Sequence, residues 1–146
     1  MTNLSRAFKE LRKKGIIAQQ RYLCCRTCAS YTIATELKKH LDSGDKIPEK
    51  IIGAMFYTLQ DAERLRKDNK LWISFGPIQI EGYGEVGVNV DLLGRIICEE
   101  FENHELKAIW NGDPDVRILI EGDSIHELTT SALKAQACSP VPSPGA

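Results

Sequence analysis

Three cysteines fall within five residues, Cys24-Cys25-Arg26-Thr27-Cys28. A Cys-x-x-Cys pair at the start of a helix has a definite chemical use. The partial positive charge and free N–H groups of the helix N-terminus stabilise the first thiolate, Cys25, and the second sulfur, Cys28, is placed to resolve it. The same sulfurs, with Cys24, could hold zinc. A structural zinc site needs four ligands, usually with a second pair, and Cys98, Cys138, His40 and His104 stand singly and apart. The plainest use of such cysteines is packing where a strand meets a helix, since free cysteine is among the most buried residue types. Five cysteines is an odd number and the chain reads as cytosolic, so no disulfide framework is expected.

Other residues invite chemical readings. Gly82-Tyr83-Gly84-Glu85-Val86-Gly87 matches the G-x-G-x-x-G of dinucleotide-binding loops. Glu81 and Glu85 would repel a pyrophosphate, and too little chain follows for the rest of a nucleotide-binding half-sheet, so the segment reads as a flexible loop feeding a helix. No cofactor is expected. His40 and His104 sit near helix ends, where the helix dipole favours a cation, and His126 lies in the tail region. Gln60-Asp61 follows a strand, which is where α/β sheets place polar sites; Asp61 also suits a helix N-cap. Arg6, Lys9, Arg12, Lys13 and Lys14 make a basic patch that would suit an acidic protein partner.

The elements that carry these residues follow from periodicity and punctuation. Leu4, Phe8 and Leu11 mark a helix over 4–14, stopped by Gly15. Ile16 to Leu23 reads as a strand, and a second helix runs from the cysteines to about Asp42. Asp45 to Lys50 is a polar loop. Ala54 to Thr58 is a strand, Ala62 to Lys67 a short helix, and Leu71 to Phe75 a third strand. Ile78 to Gly84 is left between strand end and loop. A long helix follows from about Val86 to Asn103. Leu106 to Trp110 and Val116 to Glu121 form a hairpin around Asn111-Gly112-Asp113-Pro114. The order α-β-α-β-α-β-α-β-β predicts an α/β (α+β) fold, with helices packed on a mixed sheet of about five strands. The domain is expected to span 1–122, leaving 123–146 as a tail, partly helical, then Ser/Pro-rich and mobile.

Strand, Cys-x-x-Cys, then helix resembles the thioredoxin arrangement over a short stretch. Here Cys24 stands where thioredoxins carry an aromatic residue, and Pro77 follows a strand instead of preceding one as a cis-proline. The chain also looks like a group of small uncharacterised bacterial α/β domains. The matching pieces are Leu11 to Gln20, Cys25-x-x-Cys28, Phe56-Tyr57-x-x-Gln60-Asp61 and Ile109-Trp110-x-Gly112. That resemblance implies a fold and a bacterial or phage origin, and no reaction.

The chain has 146 residues and a net charge of −1, with 42% hydrophobic and 27% charged residues, which excludes disordered, collagen-like and supercharged classes. No apolar run reaches the ~18–20 residues of a membrane span, and Met1 to Arg6 lacks a signal core, so a cytoplasmic protein without membrane contact is expected. Charge is divided along the chain: +6 over 1–26, +1 over 27–80 and −8 over 81–146. Internal pairing of the basic start with the acidic finish is the simple explanation. The absence of interleaved aromatics argues against nucleic acid. The leading expectation is a non-enzymatic protein-binding domain, inhibitory or regulatory, using the basic helix. The alternative is a thiol-dependent redox protein using Cys25 and Cys28. The third is a structural metal-binding domain using Cys24, Cys25 and Cys28.

Overall fold

Apolar spacing builds the first helix. In the computed structural model, which describes residues 2–44 and 51–121, α1 spans Asn3–Lys13 and buries Leu4, Ala7, Phe8 and Leu11. The Thr2 hydroxyl accepts the Ser5 N–H at 3.0 Å and starts the helix, and Gly15, at φ +101°, turns the chain out of it. The loop 45–50 and the expected tail from 123, with His126 and Cys138, lie outside the described residues.

β1 (Ile16–Gln19) is followed by α2 (Arg26–Asp42) and β2 (Gly53–Phe56), and the two strands pair in parallel. A parallel pair requires such a crossover, which leaves the start of α2 at the C-terminal end of β1. α3 (Leu59–Asp68) then leads to β3 (Leu71–Gly76), antiparallel to β2. β4 (Ile78–Ile80) and β5 (Gly84–Val86) form a separate two-stranded hairpin. α4 (Val90–Asn103), β6 (Lys107–Ile109) and β7 (Ile118–Glu121) complete the described chain. The mixed five-stranded sheet has the order β1-β2-β3-β7-β6. Fold class and final hairpin match the sequence expectation.

The two faces of the sheet are covered differently. On one face Met55, Leu71, Ile73, Ile118 and Ile120 pack with Phe8 and Leu11 of α1 and Leu93, Ile97 and Phe101 of α4. Phe8 meets Tyr57 and Phe101 edge-to-face, with centroids 5.8 and 5.9 Å apart. On the other, Ala54 and Phe56 pack with Ala29, Ile33 and Leu37 of α2 and with Ile78 and Ile80 of β4. Trp72 and Leu119, farther along the sheet, remain half-exposed.

Several boundaries differ from expectation for local reasons. β1 ends at Gln19, not Leu23, because Arg21 (φ +48°) and Leu23 (φ +59°) take left-handed conformations that break a strand. The glycine-rich segment is neither a flexible loop nor the opening of a helix. Gly82 and Gly84, at φ +83° and +85°, supply the turn and first position of the β4–β5 hairpin, and α4 begins only at Val90, capped by Asn89. The short helix starts at Leu59, capped by Thr58 and not by Asp61.

Candidate dithiol site at the start of the second helix

The loop that carries the cysteines is tied at three points to the exit of the neighbouring strand. Tyr22 N–H donates to Tyr57 O at 2.8 Å, Tyr57 N–H to Gln19 O at 3.2 Å, and Leu59 N–H to Leu23 O at 3.0 Å. These bonds extend the parallel pairing past β1 and β2 and hold the two positive-φ residues in place. The result sets Cys24 in a buried position, makes Cys25 the N-cap of α2, and puts Cys28 in its first turn.

The three sulfurs lie within 4.8 Å of one another. Cys24 Sγ is 3.6 Å from Cys25 Sγ and 3.3 Å from Cys28 Sγ. Cys25, Cys28 and Cys98 are free thiols, whereas Cys24 is disulfide-bonded, a departure from the expectation of reduced cysteines. Cys25 is half-buried and Cys28 buried. The Cys25 sulfur makes no capping hydrogen bond of full geometry. It nevertheless faces the helix N-terminus: the Cys28 backbone N–H, then the Cys28 thiol and the Thr27 N–H, hold the Cys25 thiol below the ordinary thiol range. Cys28 moves the other way, raised by its bond to Cys25, by burial and by the Cys25 charge. One member of the pair is therefore the better thiolate and the other the better-kept thiol. Cys98, in α4, is different again, with burial pushing its thiol up to about 11.

The remaining candidates take other roles. Asp61 is buried at the third position of α3. Its Oδ2 accepts the Thr58 N–H at 3.0 Å and the Thr58 hydroxyl at 3.1 Å, and its own N–H donates to Thr58 Oγ1 at 3.3 Å. This is a capping box. Asp61 Oδ1 also meets Arg117 Nη1 at 2.8 Å, while Gln60 is exposed. Thr58 was legible as the start of a Thr-x-x-Asp pattern and was missed; Arg117 was not, because it is 56 residues away.

The basic residues of α1 are largely engaged within the chain. Arg12 Nε donates to Ala18 O at 2.8 Å, Lys13 pairs with Glu10 at 3.1 Å, Lys14 with the buried Glu100 at 2.8 Å, and Arg6 donates to Asn3 Oδ1 at 3.2 Å; Lys9 is exposed. His104 caps α4, with Nδ1 2.9 Å from Glu100 O, and His40 lies in the last turn of α2.

Fold and site together define a small α+β domain with an asymmetric cysteine pair at a helix N-terminus. The chain belongs to a family described as a domain of unknown function, DUF6891, whose model matches residues 1–124. Comparison with curated proteins and with solved structures returns no match. Among the described residues no helix is long and apolar enough to cross a membrane.

Proposed function

We propose that the domain carries out thiol–disulfide exchange through Cys25 and Cys28. The observation that carries this reading is the asymmetry of the pair: a half-buried Cys25 with its thiol lowered by the Cys28 N–H, and a buried Cys28 with its thiol raised. The Cys25 thiolate attacks one sulfur of a substrate disulfide. The substrate S–S bond breaks, a mixed disulfide forms, and one substrate sulfur leaves as thiolate and takes a proton from water. Cys28 then gives up its proton and attacks the Cys25 sulfur. The mixed disulfide breaks, and the second substrate sulfur leaves carrying that proton. One substrate disulfide is reduced to two thiols as the Cys25–Cys28 bond forms, and the reverse sequence oxidises a dithiol substrate.

This reading has more behind it than the other two. Among the described residues the cluster offers three sulfurs, short of the four ligands of a structural zinc site. The basic helix has Arg12 and Lys14 turned onto Ala18 and Glu100, which leaves less charge for an acidic partner.

Timed alkylation of the native protein at neutral pH, read by mass spectrometry, tests the proposal. Cys25 is expected to label well ahead of Cys98, and a mild disulfide oxidant to produce a Cys25–Cys28 bond without unfolding. Labelling of Cys25 as slow as that of Cys98, or oxidation that leaves the pair unjoined, would rule it out.

A further inference from the structure

A cleft of about 700 Å³ opens on the sheet face that α2 covers only in part, and none of the described cysteines lines it. The strand order sets its two walls. α2 packs over β2, while the turn before β7 lies on the far side of β3. The first wall therefore brings Arg26 and Ser30, and the second brings Pro114 and Asp115. Phe56, Ser74 and Arg117 form the floor as one row across the sheet. Ser74 pairs with Phe56, and one step past the pair Ile73 and Ile118 the same register sets Arg117 beside Ser74.

The charges of this cleft are balanced, but they are not all satisfied within the protein. Arg117 is held by Asp61 at 2.8 Å and lies 5.8 Å from the Trp72 ring. Arg26 and Asp115 are exposed, and neither makes an ion pair among the described residues. One wall thus offers a single cation and the other a single anion. A plain anion is attracted to the first and repelled by the second. A ligand with a carboxylate at one end and an ammonium at the other suits both. Between the walls the Ser74 hydroxyl is buried with no hydrogen-bond partner, beside the apolar surface of Phe56 and Ile78. A buried hydroxyl of this kind is matched by a polar group of a ligand, and the apolar surface by an apolar body.

We propose that this cleft binds a short apolar peptide with free ends. The carboxylate meets Arg26, the ammonium meets Asp115, a backbone amide meets the Ser74 hydroxyl, and the side chains lie on Phe56 and Ile78. The volume is that of a small-molecule site. The inference makes no use of the thiols, so it stands or falls apart from the dithiol reading.

Calorimetric titration of the intact protein with trileucine tests the proposal. Trileucine is expected to bind saturably, and triglycine, which lacks the apolar body, far more weakly. N-acetylation removes the ammonium and C-amidation the carboxylate, and each should weaken binding by about tenfold, the scale of one charge-assisted contact. The losses should belong to their own walls. In Arg26→Gln, amidation brings no further loss while acetylation still weakens binding; in Asp115→Asn the pattern reverses. Both side chains are exposed, so both variants should fold. Absence of saturable binding, equal affinity of the free and the doubly blocked peptide, or end-group losses that ignore both substitutions would overturn the proposal.

Discussion

Cys25 and Cys28 lie within one sulfur cluster, yet their surroundings push the Cys25 thiol down and the Cys28 thiol up. The backbone N–H groups of Cys28 and Thr27, at the start of α2, lower the Cys25 thiol, whereas the Cys28 thiol is raised by Cys25 and by burial. Removing the Cys28 thiol while keeping its backbone separates the two contributions. In Cys28→Ala the pH midpoint for Cys25 alkylation is expected to rise, because the thiol donor is lost. It should still fall below the ordinary free-thiol value of ~8.5, because the Cys28 N–H, the larger influence, remains. The sign for stability follows from the same shift. A thiol that ionises more readily in the fold than in the unfolded chain adds stability as pH rises through its folded pKa, and the gain is complete above the unfolded value. A pH-rate profile by stopped alkylation checks the order; an unchanged midpoint would show that the thiol contributes nothing. This much of the site was legible in the sequence, because Cys-x-x-Cys and a helix start are local features. The Arg117–Asp61 pair was not, since it joins residues that meet only in the folded chain.

At the scale of elements, helices and long strands announce themselves by period, and their ends by chemistry that reaches only a few residues. The stripe Leu4, Phe8, Leu11 sufficed for α1, and the Asn111 to Pro114 turn for the hairpin of β6 and β7. β4 and β5 were not read because each is three residues long, too short for alternation to register, and a nucleotide-loop pattern overlies their turn. Gly94 shows what spacing alone does not reveal. It sits within α4, where glycine costs about 1 kcal/mol relative to alanine. A Cβ there would run into the outer edge of the Trp110 ring. The outer edge of the indole meets Gly94, the ring is T-shaped to Phe75 with centroids 5.4 Å apart, and Nε1 donates to Asp113 O at 2.9 Å. In Gly94→Ala the clash, roughly 1–3 kcal/mol for overpacking, is expected to outweigh the helix gain, leaving a net loss of about 1 kcal/mol in urea unfolding. The double variant Gly94→Ala, Trp110→Leu should show positive coupling, with the alanine neutral or stabilising once the ring is gone. A destabilisation that is the same in both backgrounds would mean that the contact does not set the choice of glycine.

Across the whole molecule, the divided charge of the chain closes at least in part on itself. Lys14, at the end of the basic start, reaches the buried Glu100 in the acidic half, where α1 packs on α4. The covering of the sheet is lopsided, with α1 and α4 on one face and α2 with a small hairpin on part of the other, and a cleft opens where cover runs out. The strand order has a consequence for how the protein is made. β7 is the last described strand, yet it lies inside the sheet, between β3 and β6. A ribosome adds residues in one direction, so β3 and β6 each wait with an open edge until Ile118–Glu121 has emerged. Chains halted before Arg117 also lack the partner of Asp61. They are expected to stay protease-sensitive and prone to edge-to-edge association, and chains extended past Glu121 to gain resistance in one step. Limited proteolysis of stalled nascent chains of increasing length checks this, and gradual protection before β7 would contradict it. Until that moment Cys25 and Cys28 belong to an incomplete fold, so the arrival of β7 also sets when the surroundings of their thiols are complete.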